Sequence, residues 1–123
     1  MFKKVAFTML PVDDSTRARA FYETALGFKR GLSSPDGVWT EYDLPGGGCL
    51  ALFKHPDPSM KGGRGTAQAS IAFEVEDLDA CMADLRAKDV AFTSGIIKAP
   101  NCRMANIKDS EGNTISLVSH QPC

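Results

Sequence analysis

The chain has 123 residues, of which 43% are hydrophobic and 24% are charged, and its formal net charge is −1. This composition is typical of a folded protein with one compact domain or two small fused modules. No basic block could follow a phosphate backbone, which argues against a nucleic-acid partner. No stretch is suited to crossing a membrane, and the N-terminus lacks the apolar core of a signal peptide, so a cytoplasmic location is expected.

The first half of the chain shows the pattern of one strand, one helix and three further strands. Residues 3–12 alternate and predict a strand. The acids Asp13 and Asp14 then supply N-cap oxygens for a helix that ends near Leu26, with Gly27 as its C-cap. Short strands separated by turn sequences are predicted near 28–32, 37–44 and 48–54.

The second half repeats this order after a linker. Residues 55–66 are rich in proline, glycine and charge, which predicts a linker between module 1 (1–54) and module 2 (67–123). Val12-Asp13-Asp14 recurs as Val75-Glu76-Asp77, again just before a predicted helix. The elements predicted in the second module are a strand at 68–75, a helix from Leu78 to Ala87, and strands near 91–97, 102–108 and 113–119.

Several predicted strands place large apolar side chains on one face and small or polar ones on the other. Ile71, Phe73 and Val75 share the face that we expect to pack on a helix, because strand side chains alternate. The opposite faces of three strands carry Cys49, Ala51, Phe53, Ser70, Ala72, Glu74, Thr114, Ser116 and Val118. Room on such a face predicts a ligand cavity. The alternative is that another module or subunit fills it.

The motifs of this chain resemble those of the vicinal oxygen chelate superfamily, which includes glyoxalase I, extradiol dioxygenases and bleomycin-resistance proteins. The resemblance covers nearly the whole chain and is most specific in the F-Y-x-x-x-L-G-F run of residues 21–28, which follows the acidic helix start. The other matching motifs are Phe73–Asp77 and Asp109–Asn113. The resemblance implies an α+β fold of two βαβββ modules, whose curved, mostly antiparallel sheets form a cleft, and a homodimer.

Metal-using members of that superfamily take four metal ligands, usually His, Gln or Glu, from the first and last strands of each module. The resemblance carries these positions over to Phe7, Ala51, Ser70 and Ser116. None of the four offers the imidazole, carboxylate or thiolate donors that zinc, nickel and iron require. The resemblance therefore implies a superfamily member with no metal and no other cofactor. It also argues against glyoxalase I or dioxygenase activity.

Arg103 and Trp39 are further candidates for ligand contact. Pairing the last two strands around Ser110-Glu111 would place Arg103 opposite Val118, facing the cleft, where it could hold a carboxylate or phosphate. The alternative for Arg103 is a salt bridge to an acid such as Glu41 or Glu74. Trp39 could stack a flat ligand or pack in the core.

The histidines and cysteines are interpreted as residues without a role in ligand binding. His55 and His120 are interpreted as solvated surface residues. The four cysteines are widely spaced and are interpreted as reduced thiols: Cys49, Cys81, Cys102 and Cys123. Because Cys102 lies beside the cation of Arg103, a nucleophile is the alternative to a buried apolar role at this position.

Two functional classes follow from the sequence. The first is a protein that binds a small organic, possibly anionic, molecule in the cleft without a metal. Its candidate contacts are Phe7, Met9, Trp39, Ala51, Phe53, Ser70, Ala72, Arg103, Ser116 and Val118. The second is a lyase, isomerase or dioxygenase-type enzyme of the same superfamily with an atypical site, for which no catalytic residue can be assigned. A domain that only mediates dimerisation is a third possibility.

Overall fold

The structure is a computed structural model that describes residues 1–54 and 70–120. It contains β1 (Thr8–Pro11), α1 (Ser15–Ala20), β2 (Arg30–Ser33), β3 (Trp39–Asp43), β4 (Cys49–Phe53), β5 (Ser70–Glu74), α2 (Leu78–Ala87), β6 (Ile97–Ala99), β7 (Cys102–Lys108) and β8 (Thr114–His120). No helix among the described residues is long and apolar enough to span a membrane. The predicted linker, 55–66, lies outside the described residues, so the module boundaries stay a prediction.

Each module forms one four-stranded mixed sheet. The strand orders are β1-β4-β3-β2 in the first sheet and β5-β8-β7-β6 in the second. In both sheets the first strand runs parallel to the last strand of its module, and the other neighbouring strands are antiparallel. The predicted α+β class and its two βαβββ modules are therefore confirmed.

The repeated acids begin both helices as predicted. The side chains of Asp14 and Asp77 each accept a hydrogen bond, 3.0 Å long, from the backbone N–H three residues further on. These bonds satisfy N–H groups that the first turn of a helix leaves unpaired. The first helix continues past α1 as a π-helical turn, Phe21–Ala25. It stops before Gly27, whose φ of +77° lies in the left-handed region that glycine adopts without a Cβ clash.

The core lies between each sheet and the helix that covers it. Its buried apolar side chains alternate along the strands and line one side of each helix, as the sequence pattern predicts. The Phe28 and Phe73 rings are edge-to-face with 5.3 Å between centroids, which joins the cores of the two modules. The buried apolar residues of this core cluster are Leu10, Val12, Ala18, Tyr22, Tyr42, Leu50, Leu52, Phe73, Leu78, Met82, Leu85, Ala105, Ile107, Ile115 and Leu117.

A turn of the second module also binds the first module. The Glu111 carboxylate accepts hydrogen bonds of 2.9 Å from the backbone N–H groups of Asp13 and Asp14, at the start of α1. The buried Tyr22 hydroxyl donates a 2.7 Å hydrogen bond to the Asp109 carboxylate. These contacts lie on the helix side of the sheets, so they fix the two modules together while leaving the other sheet faces uncovered.

The first predicted strand is shorter in the structure than in the prediction. β1 begins at Thr8 instead of residue 3, and Thr8 pairs with Leu50 of β4. Because β4 itself begins at Cys49, the residues before Thr8 have almost no length of neighbouring strand to pair with. Strand formation therefore ends where the partner ends, although the sequence alternates further.

The predicted strand at 91–97 is mostly irregular. Phe92 forms only an isolated bridge with Ile107, and a regular strand, β6, begins at Ile97. Between them, the backbone N–H of Asn106 donates a 3.1 Å hydrogen bond to the Ser94 hydroxyl. A serine side chain thus takes the place of a strand carbonyl, which interrupts the ladder.

Candidate functional site

The first sheet has one face that neither α1 nor α2 covers. This first free face carries the outward side chains of β1, β3 and β4, while their neighbours, such as Leu10, Tyr42 and Leu52, are buried on the helix side. The strand residues of the first free face are Met9, Pro11, Trp39, Glu41, Asp43, Cys49, Ala51 and Phe53, and Phe7 precedes them just before β1. It thus holds five of the ten predicted contact residues.

Three aromatic rings meet on the first free face. The Phe7 and Trp39 rings are edge-to-face with 5.2 Å between centroids, and the Trp39 and Phe53 centroids are 6.4 Å apart. Trp39 and Phe53 are also cross-strand partners. We call Phe7, Trp39 and Phe53 the aromatic cluster. Because Trp39 lies here and not under the helix, its rings and those of its neighbours can offer a stacking surface to a flat molecule.

A carboxylate is held against this cluster. The Trp39 indole N–H donates a 2.7 Å hydrogen bond to Oε2 of Glu41, and the Cys49 thiol lies 3.8 Å from Oε1. Glu41 also pairs across the strands with Ala51. Sequence reasoning did not select Glu41 as a site residue, although its position two residues from Trp39 places both on the same strand face.

The cysteine on this face is not set up as a nucleophile. Burial, followed by the nearby charges of Glu41 and Asp43, raises the pKa of the Cys49 thiol. A raised pKa keeps the thiol protonated, and the thiolate is the reactive form. Cys49 therefore contributes a small, weakly polar surface beside Glu41.

The second sheet has a free face of different chemistry. It carries Ser70, Ala72 and Glu74 of β5, Cys102, Met104, Asn106 and Lys108 of β7, and Thr114, Ser116, Val118 and His120 of β8. The Ser116 hydroxyl donates a 2.6 Å hydrogen bond to Oδ1 of Asn106 in the middle of this face. His120 and Glu74 approach to 3.3 Å at its edge, and both are well exposed. Four of the predicted contact residues, Ser70, Ala72, Ser116 and Val118, lie on this second free face.

The predicted position of Arg103 is wrong. Arg103 pairs with Ser119, and Met104 takes the place opposite Val118. The cause is the turn: the Asp109 N–H donates a 2.9 Å hydrogen bond to the Asn113 carbonyl, so the hairpin is centred on Glu111 and not between Ser110 and Glu111 as predicted. A slip of one residue moves a side chain to the other face of a sheet.

Arg103 therefore lies on the helix side of the second sheet. Its guanidinium donates two hydrogen bonds of 3.1 Å to the carboxylate of Asp79 on α2. This pair raises the pKa of Arg103 and lowers that of Asp79, mainly through the hydrogen bonds themselves. The alternative interpretation of Arg103, a salt bridge to an acid, is the one observed, with Asp79 as the acid.

A cavity of about 570 Å³ opens elsewhere, where the two modules meet on the helix side. Its walls include Leu26, Phe28, Phe73 and Leu85, and none of the ten predicted contact residues lines it. Residues 1–54 and 70–120 of one chain do not enclose the predicted cleft. Phe7 and Met9 on the first free face are 44% and 49% exposed, respectively. These exposed apolar side chains leave room for a further surface to close a cleft at this face.

Comparison with known proteins identifies the family. The sequence model described as "Glyoxalase/Bleomycin resistance protein/Dioxygenase superfamily" matches residues 4–117. This chain belongs to that superfamily. The family resemblance found in the sequence is therefore confirmed.

Individual known proteins resemble this chain over nearly their whole length. The uncharacterized protein YetH of Bacillus subtilis is 28% identical over 120 residues, which are 95% of this chain and 98% of YetH. The structure of TnmS3, an antibiotic binding protein from Streptomyces sp. CB03234, matches with a TM-score of 0.81 and 27% identity over 98% of each chain. Lactoylglutathione lyase from Agrobacterium tumefaciens matches with a TM-score of 0.76 and 22% identity over 96% of this chain and 94% of the lyase, a likeness that shows the fold alone.

The four positions that carry metal ligands in metal-using superfamily members do not fit a metal here. Phe7 and Ala51 lie on the first free face, and Ser70 and Ser116 lie on the second. A phenyl ring, a methyl group and two hydroxyls offer no good donor to zinc, nickel or iron. Within residues 1–54 and 70–120, no three His, Cys, Asp or Glu side chains are grouped to hold a metal ion. His55 lies outside these residues.

Proposed function

We propose that this superfamily member binds a small, flat organic molecule on its free faces without the help of a metal ion. The observation that carries the proposal is the aromatic cluster, Phe7, Trp39 and Phe53, on the face that the helices leave open. Aromatic rings bind flat apolar molecules through stacking and through the removal of apolar surface from water. The ring of Phe7 also occupies one of the four positions that serve as metal ligands in other members.

The likeness to TnmS3 supports binding over catalysis. TnmS3 is described as an antibiotic binding protein, and the two chains match over 98% of their lengths. A protein that only sequesters its ligand needs shape and apolar surface but no activated nucleophile or metal. The first free face offers rings, a methyl group and a thioether, and the pKa of its one thiol is raised. These features favour a binding protein over the alternative of a lyase, isomerase or dioxygenase.

A second copy of the chain is the surface that we propose to close the cleft. Each free face leaves apolar side chains in solvent, with Phe7 and Met9 on the first sheet and Ile97 at the edge of the second among the large exposed residues. Covering such residues stabilises an association by about 25 cal/mol per Å² of apolar surface removed from water. The sheet edges also benefit from a partner. We therefore propose a homodimer in which the ligand lies between a free face and the partner chain.

The position of Arg103 no longer supports a negatively charged ligand. An anionic ligand was expected only because Arg103 was placed in the cleft, and Arg103 contacts Asp79 on the other side of the sheet. The proposed function therefore concerns the flat, apolar part of the ligand. Its charge is argued separately below.

The single tryptophan of the chain makes the proposal directly testable. A panel of flat aromatic compounds should include some that quench Trp39 fluorescence and raise the melting temperature of the wild type. Phe7→Ala should lower the affinity for these compounds about tenfold or more, since an aromatic pair contributes beyond its buried area. Ile96→Ala is the matched control, because Ile96 is an exposed apolar residue outside the aromatic cluster. Equal affinities in Phe7→Ala and wild type would overturn the proposal.

An activity assay distinguishes a binding protein from an enzyme. Wild-type protein should show no turnover of a methylglyoxal–glutathione hemithioacetal above background, with or without added nickel or zinc. Turnover that a chelator abolishes would contradict metal-free binding as the function. Such a result would direct attention to donors outside the described residues.

A further inference from the structure

We propose that the ligand of the first free face carries a positive charge beside its flat apolar part. This inference rests on the proposed function and concerns the same face. It follows from the carboxylates that the face presents and from how one of them is held against the aromatic cluster.

The charges that β1, β3 and β4 place on the first free face are all of one sign. β1, β3 and β4 contain no lysine, arginine or histidine, whereas Glu41 and Asp43 of β3 both point away from the helix side. Within residues 1–54 and 70–120, Glu41 contacts the Trp39 indole and the Cys49 thiol, and both of these groups are neutral. A ligand that approaches this face therefore meets two carboxylates and no cation from these three strands.

The arginines of the first module are engaged on the helix side. Arg17 contacts Glu111, and Arg30 contacts Glu23 at 2.8 Å. Arg19 donates to the Thr40 hydroxyl at 2.8 Å, and Thr40 is buried beneath the sheet. None of these three guanidinium groups is turned towards Glu41. The negative charge of the first free face is therefore not balanced by the arginines nearest to it in sequence.

Glu41 is oriented for contact with a ligand. Its Oε2 accepts the Trp39 indole N–H at 2.7 Å, which holds the carboxylate beside the ring. A carboxylate has about four acceptor sites, so an indole donor and a weak thiol donor leave capacity for a donor from the ligand. The face of an indole ring also attracts cations through its quadrupole.

The aromatic cluster and the Glu41 carboxylate thus both favour a positively charged ligand. A flat cation stacked on Trp39 would gain from the ring and from Glu41 together, and a like-charged anion would be repelled by Glu41 and Asp43. Apolar side chains around the site strengthen both effects, because they exclude water and lower the local dielectric. The ligand class that fits is an aromatic or heteroaromatic molecule with a quaternary or protonated nitrogen.

A matched pair of probes tests the charge alone. N-methylquinolinium and quinoline share one ring system, and at neutral pH the first is a cation and the second is neutral. Each is titrated against full-length wild-type protein, with quenching of Trp39 fluorescence as the measurement. Wild type should bind N-methylquinolinium about five- to tenfold more tightly than quinoline, the difference expected for a partly exposed cation–π and carboxylate contact. The preference should shrink as sodium chloride is added.

Three variants assign the preference to this face. Glu41→Gln keeps an oxygen acceptor for the Trp39 indole and removes the charge, so it should abolish the preference while leaving quinoline affinity within about twofold. Asp43→Asn should reduce the preference in part, and it provides a second test if Glu41→Gln is poorly folded. Asp84→Asn is the control, because it removes one exposed negative charge on α2, away from the first free face.

The outcomes separate this inference from the proposed function. Quinoline and N-methylquinolinium binding with equal affinity to wild type, or an unchanged preference in Glu41→Gln and Asp43→Asn, would overturn the charge inference alone. An equal loss of preference in Asp84→Asn would also overturn it, because net charge would then explain the effect. No quenching by either probe, together with no hit in the neutral panel, would overturn the proposed function itself.

Discussion

The Glu111 carboxylate lies 2.6 Å from Nε of Arg17 and is wholly buried, although the two residues belong to different modules. Oε1 of Glu111 also accepts hydrogen bonds from Nη2 of Arg17 and from the backbone N–H groups of Asp13 and Asp14, each 2.9 Å long. A negative charge at this place is favourable because the N-terminus of α1 carries a partial positive charge. One side chain of the second module thus fixes the start of the first helix.

Acid should weaken the contacts that Glu111 makes with Arg17 and with the start of α1. Burial by itself raises the pKa of Glu111, but the hydrogen bonds from Arg17, from the two backbone N–H groups and from Ser110 outweigh it and lower the pKa to about 2, from an ordinary value of 4.5. A carboxyl group whose pKa is lowered on folding stabilises the protein above its unfolded pKa, and this stabilisation is lost as the pH falls through the folded pKa. The contribution of Glu111 should therefore be full above about pH 4.5 and lost towards pH 2.

Urea denaturation of wild type and Glu111→Gln across this pH range measures the effect. At neutral pH we expect Glu111→Gln to lower the free energy of unfolding by about 2–3 kcal/mol, the range for breaking a buried charged contact with a partly exposed partner. The difference between the two proteins should narrow as the pH falls below 4.5. Asp84→Asn serves as the control, since its surface pair with Lys88 is an i,i+4 contact worth about 0.5 kcal/mol or less. A difference that stays constant with pH would contradict this assignment.

The features that could be predicted from the sequence are those that depend on neighbouring residues. Asp14 and Asp77 begin their helices as predicted because a cap forms with an N–H only three residues away. The alternation of Ile115 and Ser116 likewise identifies the buried and free faces of β8 without knowledge of its partners. The Asp109–Asn113 turn could also be recognised locally. That its Glu111 binds the other module could not, because this contact joins residues far apart in the chain.

The candidate site was predicted only in part, because it too combines local patterns with contacts between residues far apart in the chain. Phe7, Trp39 and Phe53 alternate correctly on their own strands, but their meeting depends on strand order and register. Glu41 went unselected because no sequence motif marks it. Arg103 was placed on the wrong face because hairpin register is fixed by the geometry of the turn, and an error of one residue inverts the face.

The corrected position of Arg103 gives a second prediction. Because its guanidinium contacts Asp79 on the helix side, Arg103→Ala should leave ligand quenching of Trp39 fluorescence unchanged. The melting temperature should fall slightly, and Asp79→Ala should produce a similar fall. The double variant should be no less stable than the less stable single variant, because both changes remove one contact. Weaker ligand binding in Arg103→Ala, at unchanged stability, would return this residue to the site.

The proposed homodimer gives a third prediction. Met9 is 49% exposed in the single chain and lies beside Ala51 on the first free face. Wild type should behave as a dimer in size-exclusion chromatography with light scattering at micromolar concentration. Met9→Glu should shift it to monomers with an unchanged circular dichroism spectrum, because a buried unpaired charge opposes association.

A control on the helix side distinguishes this effect from a general effect of charge. Ala83 is an exposed residue in the middle of α2, where glutamate is well tolerated. Ala83→Glu should therefore remain dimeric. A monomeric wild type, or a Met9→Glu protein that elutes with the wild type, would show that some other surface covers the first free face.

The last prediction concerns metal binding at the four superfamily positions. Phe7, Ala51, Ser70 and Ser116 offer no imidazole, carboxylate or thiolate, so wild type dialysed against nickel, zinc and manganese should retain no stoichiometric ion by elemental analysis. The matched variant restores donors of the types used by metal-binding members, through Phe7→His, Ala51→Glu, Ser70→His and Ser116→Glu. It should take up nickel or zinc and gain in melting temperature when loaded, because a bound ligand stabilises the folded state. Loss of this uptake when the variant is made monomeric by Met9→Glu would show that the four positions come together across two copies. One tightly held ion per chain in the wild type, with a melting temperature that a chelator lowers, would contradict metal-free binding and shift the search to the residues that connect β4 to β5.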